Sequence, residues 1–118
     1  LNQLAPEGKT TITIATGCLE GIRISLDLKS EKDMWLGTYE PELQQTIINY
    51  VNKGMTAYDI GANIGYISLL FSKSVGATGR VFSFEAFPEN IDRLRENLRM
   101  NHFTSNVEIV PKAVVDTQ

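Results

Sequence analysis

Hydrophobic positions along the chain change their spacing in a definite order, and that order predicts the fold. Residues 10–16 (TTITIAT) alternate Ile12 and Ile14 with threonines, and residues 22–28 alternate Ile22, Ile24, Leu26 and Leu28 with Arg23, Ser25 and Asp27. A period of two means strands with one buried face. Gly17 and Gly21 in the short link between them suit a hairpin. Residues 30–40 (SEKDMWLGTYE) follow neither period and are expected to be irregular, with Trp35 and Tyr39 turned back to pack on the body. From Pro41 the spacing becomes helical: Leu43, Ile47, Tyr50 and Val51 recur on one face, Pro41 suits the first turn and Gly54 the stop.

A strand–helix–strand–helix–strand alternation follows. Residues 56–60 form a short strand running through Asp59 into a glycine-containing turn. Ile64, Ile67, Leu70, Phe71 and Val75 then mark one face of a helix that Gly76 and Gly79 close, and residues 80–85 (RVFSFE) are the second strand. Pro88 opens a third helix with Ile91, Leu94 and Leu98 on its apolar face. Its charged residues, Arg93 among them, are expected on the solvent side, with Glu89 and Arg93 as an i,i+4 pair and Asn90 and Asn97 in capping or surface roles. Residues 107–115 (VEIVPKAVV) are the third strand, its pairing limited near the end by Pro111. The fold class is α/β: three parallel strands with right-handed crossovers, covering helices and an amino-terminal β-hairpin. Residues 1–34 are expected to form the hairpin extension and residues 35–118 the sheet domain.

In such a sheet, ligands bind beyond the carboxyl ends of the strands, so the turn Asp59-Ile60-Gly61-Ala62-Asn63-Ile64-Gly65 and the residue Glu85 face one crevice. Gly61 and Gly65 allow a tight turn and close ligand approach, and Asn63 tolerates left-handed geometry. Three ligands compete for this turn. A phosphate-cradling loop needs Gly-Lys-Ser/Thr, whereas Tyr66 and Ile67 follow Gly65. A dinucleotide fingerprint needs glycine where Asn63 and Tyr66 stand. Asp59 also repels a pyrophosphate but attracts the ammonium and sulfonium of S-adenosylmethionine. Glu85 suits the two hydroxyls of a ribose, an assignment that nicotinamide and methyl-donor sites share. Phe87 either lies against an adenine or packs on the third helix, and Ala113 and Val114 offer backbone groups to the ring edge.

Several separated motifs, YDIGANIGYISLL, VFSFEAFPENIDRLRENLRMN, the upstream WLGTYEPEL and the later AVVD, resemble FkbM-type methyltransferases from about Trp35 to Asp116. The resemblance implies a Rossmann-like class I methyltransferase fold and S-adenosylmethionine as cofactor. It implies cofactor binding by Asp59, Gly61, Ala62, Asn63 and Gly65, ribose binding by Glu85 with Ala86 beside it, and a contribution from Tyr39 and Glu40. Many related enzymes carry glycine at Asn63 and proline at Ala86. The implied reaction is methylation of a hydroxyl on a sugar or a small secondary metabolite.

Composition narrows the partners. A chain of 118 residues, 42% hydrophobic and 21% charged, fits one globular core. A net charge of −3 lacks the basic footprint of nucleic-acid binding, and neither a membrane-spanning run nor a signal segment opens the chain. A soluble, cytoplasmic protein is expected. Cys18 is the lone cysteine, so no internal disulfide or cysteine metal site is expected, and no metal is assigned. His102, the lone histidine, is expected away from the crevice, Trp35 in a packing role and Cys18 as a bystander in the hairpin turn. A complete class I sheet needs close to 200 residues at roughly 30 per strand–helix pair. The chain, from Leu1 to Gln118, is therefore expected to be a truncated, donor-binding half whose acceptor site and catalytic base lie elsewhere, with association of copies through the open sheet edge or the hairpin. A non-catalytic interaction module and a nicotinamide-dependent oxidoreductase fragment are the alternatives.

Overall fold

A computed structural model describes residues 8–116; Leu1 and Gln118 lie outside them. Strands β1 (Lys9–Thr13) and β2 (Arg23–Asp27) pair antiparallel, with Ile12 opposite Ile24. A one-turn helix α1 (Lys32–Trp35) and the helix α2 (Pro41–Tyr50) follow. Then come β3 (Thr56–Ile60), α3 (Tyr66–Val75), β4 (Arg80–Phe84), α4 (Pro88–Arg99) and β5 (Val107–Val110). The last three strands form one parallel sheet in the order β3-β4-β5, with Asp59 opposite Ser83 and Ser83 opposite Ile109.

Helix α3 is the central element. Tyr66, Ile67, Ser68, Leu69, Leu70, Ser72 and Val75 are all buried, so it is covered nearly all round rather than along one stripe. Ala57, Asp59, Val81 and Ser83 point to its side of the sheet and are buried. The other face carries Tyr58, Ile60, Phe82 and Phe84; Tyr58 is 62% exposed and stacks on Phe82 at 5.6 Å between centroids. Ile14, Leu19, Ile22, Ile24 and Leu26 of the hairpin region join Met34, Ile47, Ile64, Tyr66, Leu69, Leu94 and Leu98 in one cluster. The hairpin and the α3–α4 layer thus share a core.

Five local expectations need correction. Residues 32–35 are helical, not irregular, with Met34 buried beneath the hairpin. On α2 the buried positions are Gln44 and Ile47, whereas Leu43 and Tyr50 are 40% and 72% exposed. Gln44 goes inside because its amide donates to the carbonyls of Gly37 and Tyr39, tying down the preceding loop. The third strand stops at Val110, where Pro111 cannot donate to a ladder, and residues 111–116 are exposed. On α4, Arg93 turns from solvent to Glu31 at 2.7 Å, so the expected pair with Glu89 gives way to a tertiary one. Asn97, assigned to the surface or a cap, is fully buried.

Candidate functional site

Strand β3 alternates exposed and buried residues, which sends Asp59 inward beneath the turn that follows it. Asp59 is 7% exposed, and its Oδ2 accepts the Ser68 hydroxyl at 2.6 Å. Ser68 and Ser83 also share a hydrogen bond at 2.6 Å, so three polar side chains from β3, α3 and β4 satisfy one another in an apolar layer. Burial raises the Asp59 carboxyl above its usual range; the Ser68 hydroxyl pulls it back and the charge of Glu85 adds to the rise. The cap position of α3 is Gly65 with no side-chain cap, so Asp59 is not a helix cap. Ser68 and Ser83 escaped sequence reading. Their signal is small polar residues inside otherwise apolar helical and strand patterns.

The turn itself is held by backbone and by Glu85. Gly61 and Ala62 donate to the Phe84 carbonyl at 2.9 and 2.8 Å, hooking the turn over the end of β4. Glu85 Oε1 accepts the Asn63 N–H at 2.7 Å and Oε2 the Phe87 N–H at 3.0 Å. Burial pushes the Glu85 carboxyl up, but these N–H donors outweigh it and leave its pKa below the ordinary value. Asn63 takes the left-handed conformation at φ 55°, which asparagine tolerates better than most residues.

Tyr39 and Glu40 approach from the other side. Glu40 has φ 48° and ψ 58°, a left-handed backbone that its Cβ and the following Pro41 both disfavour. The Tyr39 ring meets the Tyr66 ring edge-on at 5.3 Å. Burial pushes the Tyr66 phenol up to about 12, so it stays protonated.

These residues line two adjoining cavities that share Ile60 and Gly61. One, of about 220 Å³, is walled by Tyr39, Glu40, Asp59, Asn63 and Tyr66, with Ala62 beneath. Two carboxylates line it and no Lys, Arg or His does. The other, of about 270 Å³, is lined by Glu85, Ala86, Ala113 and Val114. Two predicted residues line neither. Gly65 sits under α4 against Leu94, and Phe87, just before α4, is 58% exposed. A larger hollow of about 530 Å³ lies at the far end of α3, with Lys73, Glu20 and His102, which places the histidine away from the crevice. Among the described residues no group of His, Cys, Asp and Glu could hold a metal, and no helix is long and apolar enough to cross a membrane.

The methyltransferase FkbM domain profile matches residues 59–117, half of the chain, beginning at the buried aspartate. A protein-L-isoaspartate O-methyltransferase of Methanococcoides burtonii is 35% identical over 60 residues, which are 51% of this chain and 29% of that protein. The match thus spans less than a third of that relative's length. A Pyrococcus horikoshii protein catalogued as a transferase superposes at a TM-score of 0.63 and 18% identity, over 92% of this chain and 37% of that one. Aeropyrum pernix fibrillarin, solved with natively bound S-adenosyl-L-methionine, superposes at 0.52 and 17% identity, over 62% of this chain and 32% of its own. Both likenesses show the fold, and the near-complete overlap with the first includes the hairpin region. With the profile match running across the cavities at the carboxyl ends of β3 and β4, the chain belongs to the FkbM methyltransferase family, S-adenosylmethionine-dependent enzymes of the Rossmann-like class I fold.

Proposed function

We propose that this chain forms the donor-binding half of an O-methyltransferase acting on a hydroxyl of a sugar or small metabolite. The carrying observation is the pair of adjoining cavities at the ends of β3 and β4, one acidic and one bordered by Glu85. S-adenosylmethionine fits this donor set: a cation needs carboxylates free of competing basic groups, and a ribose needs an acceptor at a strand end. Asp59 and Glu40, with the walls Tyr39 and Tyr66, would hold the charged methionyl end, and Glu85, Ala86 and Ala113 the adenosine. The bound donor supplies an electrophilic methyl group on a positive sulfur.

The chain's own contribution is placement. Asp59 is fixed from Ser68 and Ser83, so its charge does not reorganise on binding. The turn is fixed from Glu85, which holds the approach direction to the acidic cavity. The relative from Methanococcoides burtonii bears the name of an O-methyltransferase, which supports oxygen as the acceptor atom. The net charge of −3 supports a small-molecule rather than a nucleic-acid partner, and a cytoplasmic location remains part of this reading.

Calorimetric titration of the 118-residue chain with S-adenosylhomocysteine and, separately, NAD tests the reading. Binding of the first alone is expected. Binding of NAD alone would reinstate an oxidoreductase, and binding of neither would leave an interaction module.

A further inference from the structure

Arg93 and Asn97 on α4, and Asn101 just past its end, follow at intervals of four and lie in one row. That row meets the edge of β2 that β1 leaves free. Asn101 Oδ1 accepts the Arg23 N–H at 3.2 Å, and its Nδ2 donates to the Arg23 carbonyl at 2.8 Å. Asn97 Oδ1 accepts the Ser25 N–H at 2.8 Å, and Arg93 Nη2 donates to the Ser25 carbonyl at 3.1 Å. Side chains of one helix thus satisfy an edge strand that would otherwise present bare backbone groups. The hairpin docks by this ladder as well as by its apolar face.

Asn97 does more than its neighbours. It is fully buried, and its Nδ2 donates to the Ile64 carbonyl at 2.7 Å. Ile64 lies between Asn63 and Gly65, inside the turn that faces the acidic cavity. One rigid, planar amide therefore holds the hairpin with its oxygen and the turn with its nitrogen. Shifting either partner leaves a buried polar group unsatisfied, which neither side tolerates cheaply.

We propose that Asn97 is a positioning residue for the donor site, fixing the Ile64 carbonyl and coupling occupancy of the turn to docking of the hairpin at Ser25. The inference rests on the donor reading above. Coupling of this kind is reciprocal: a ligand that orders the turn tightens the Asn97–Ser25 bond, and loosening that bond weakens the ligand. Arg23 is the internal control: its N–H is held by Asn101, which touches the backbone carbonyl of Asn97 at 2.9 Å but neither the Asn97 amide nor the turn.

The test is amide hydrogen exchange on the full chain with and without saturating S-adenosylhomocysteine. Ser25 is expected to slow at least about threefold more than Arg23, a modest coupling by the usual scale. Equal slowing, or none, with the ligand bound overturns the inference and leaves the donor reading standing. Failure of the ligand to bind the unaltered chain overturns both. A paired measurement uses Asn97→Asp, which keeps the acceptor for Ser25 but turns the donor facing Ile64 into an oxygen, against Asn101→Asp. The first is expected to weaken S-adenosylhomocysteine about tenfold, the cost of losing one buried hydrogen bond, and the second less than about twofold. Equal losses would mean general destabilisation and sink the proposal; if Asn97→Asp does not fold, the exchange experiment decides alone.

Discussion

Gly61 and Gly65 bound the same turn and both have positive φ, 76° and 106°, yet they stand in opposite surroundings. A Cβ on Gly65 would meet Leu94 Cδ1 at 2.8 Å, with Asn97 Cβ at 4.0 Å behind it. A Cβ on Gly61 would meet nothing within 4 Å. The first glycine opens on both cavities; the second lets α4 press against the start of α3. A motif that reads as one ligand-binding unit is thus a mouth at one end and a packing joint at the other.

The largest expected effect separates the two ends. Gly65→Ala combines a disfavoured backbone with a collision and should cost about 2–4 kcal/mol, lowering Tm by about 10 °C or more. Gly61→Ala incurs the backbone penalty alone, about 1 kcal/mol, while projecting a methyl toward the cavities. Thermal unfolding and titration with S-adenosylhomocysteine together check this. Similar stability losses at both positions would remove the distinction. Adding Leu94→Ala to Gly65→Ala should relieve the collision but not the backbone strain.

The mouth contains a second contrast, between two carboxylates with opposite shifts. The folded-state pKa of Asp59 is raised, so the stability linked to it is complete below the unfolded-state value and is lost as pH rises through the folded value. Glu85 is lowered, so its contribution is present above the unfolded-state value and is lost as pH falls through the folded one. Asp59→Asn should therefore keep or raise Tm at neutral pH while weakening S-adenosylhomocysteine by at least about tenfold, since hydrogen bonds to a charged partner are worth about 1.5–3 kcal/mol. In the unaltered chain, affinity should fall on acidification at a pH above the ordinary aspartate range, and Asp59→Asn should flatten that dependence. A large drop in Tm, or an unchanged affinity, would return Asp59 to a structural role.

The same division explains what the sequence made legible. Alternation and helical spacing located the hairpin, the three parallel strands, the three longer helices and the turn, because burial of a face imposes its period on the residues that form it. The mouth was legible too: Asp59, Gly61, Asn63 and Glu85 have chemistry that stands out in an apolar setting. The joint was not. Arg93 and Asn97 sit on a helix rich in charge, so a local reading sends them to water; the free edge of β2, more than 60 residues away in sequence, draws them inward together with Glu31 and the Ile64 carbonyl. Gln44 is the same case, buried to satisfy carbonyls of the loop before it. Polar residues whose partners are backbone groups outside their own helix leave no periodic trace. Ser83 is intermediate, a small polar residue in an apolar strand, which signals a buried partner without naming it.

The smallest expected effect concerns Phe87, which belongs to neither end. Its N–H is committed to Glu85, but its ring is 58% exposed and lines neither cavity. Truncation should therefore leave stability within about 0.5 kcal/mol, as for surface positions generally. An exposed aromatic one residue beyond Ala86, itself part of the Glu85 cavity, is placed to close over a flat ring once one is bound. Aromatic contacts of that kind are worth about 0.5–1.5 kcal/mol, so Phe87→Ala should weaken S-adenosylhomocysteine about three- to tenfold at constant Tm. The homocysteine moiety alone should not register the change. If adenosine and S-adenosylhomocysteine bind Phe87→Ala as they bind the unaltered chain, the ring lies outside the site and the mouth ends at Ala86.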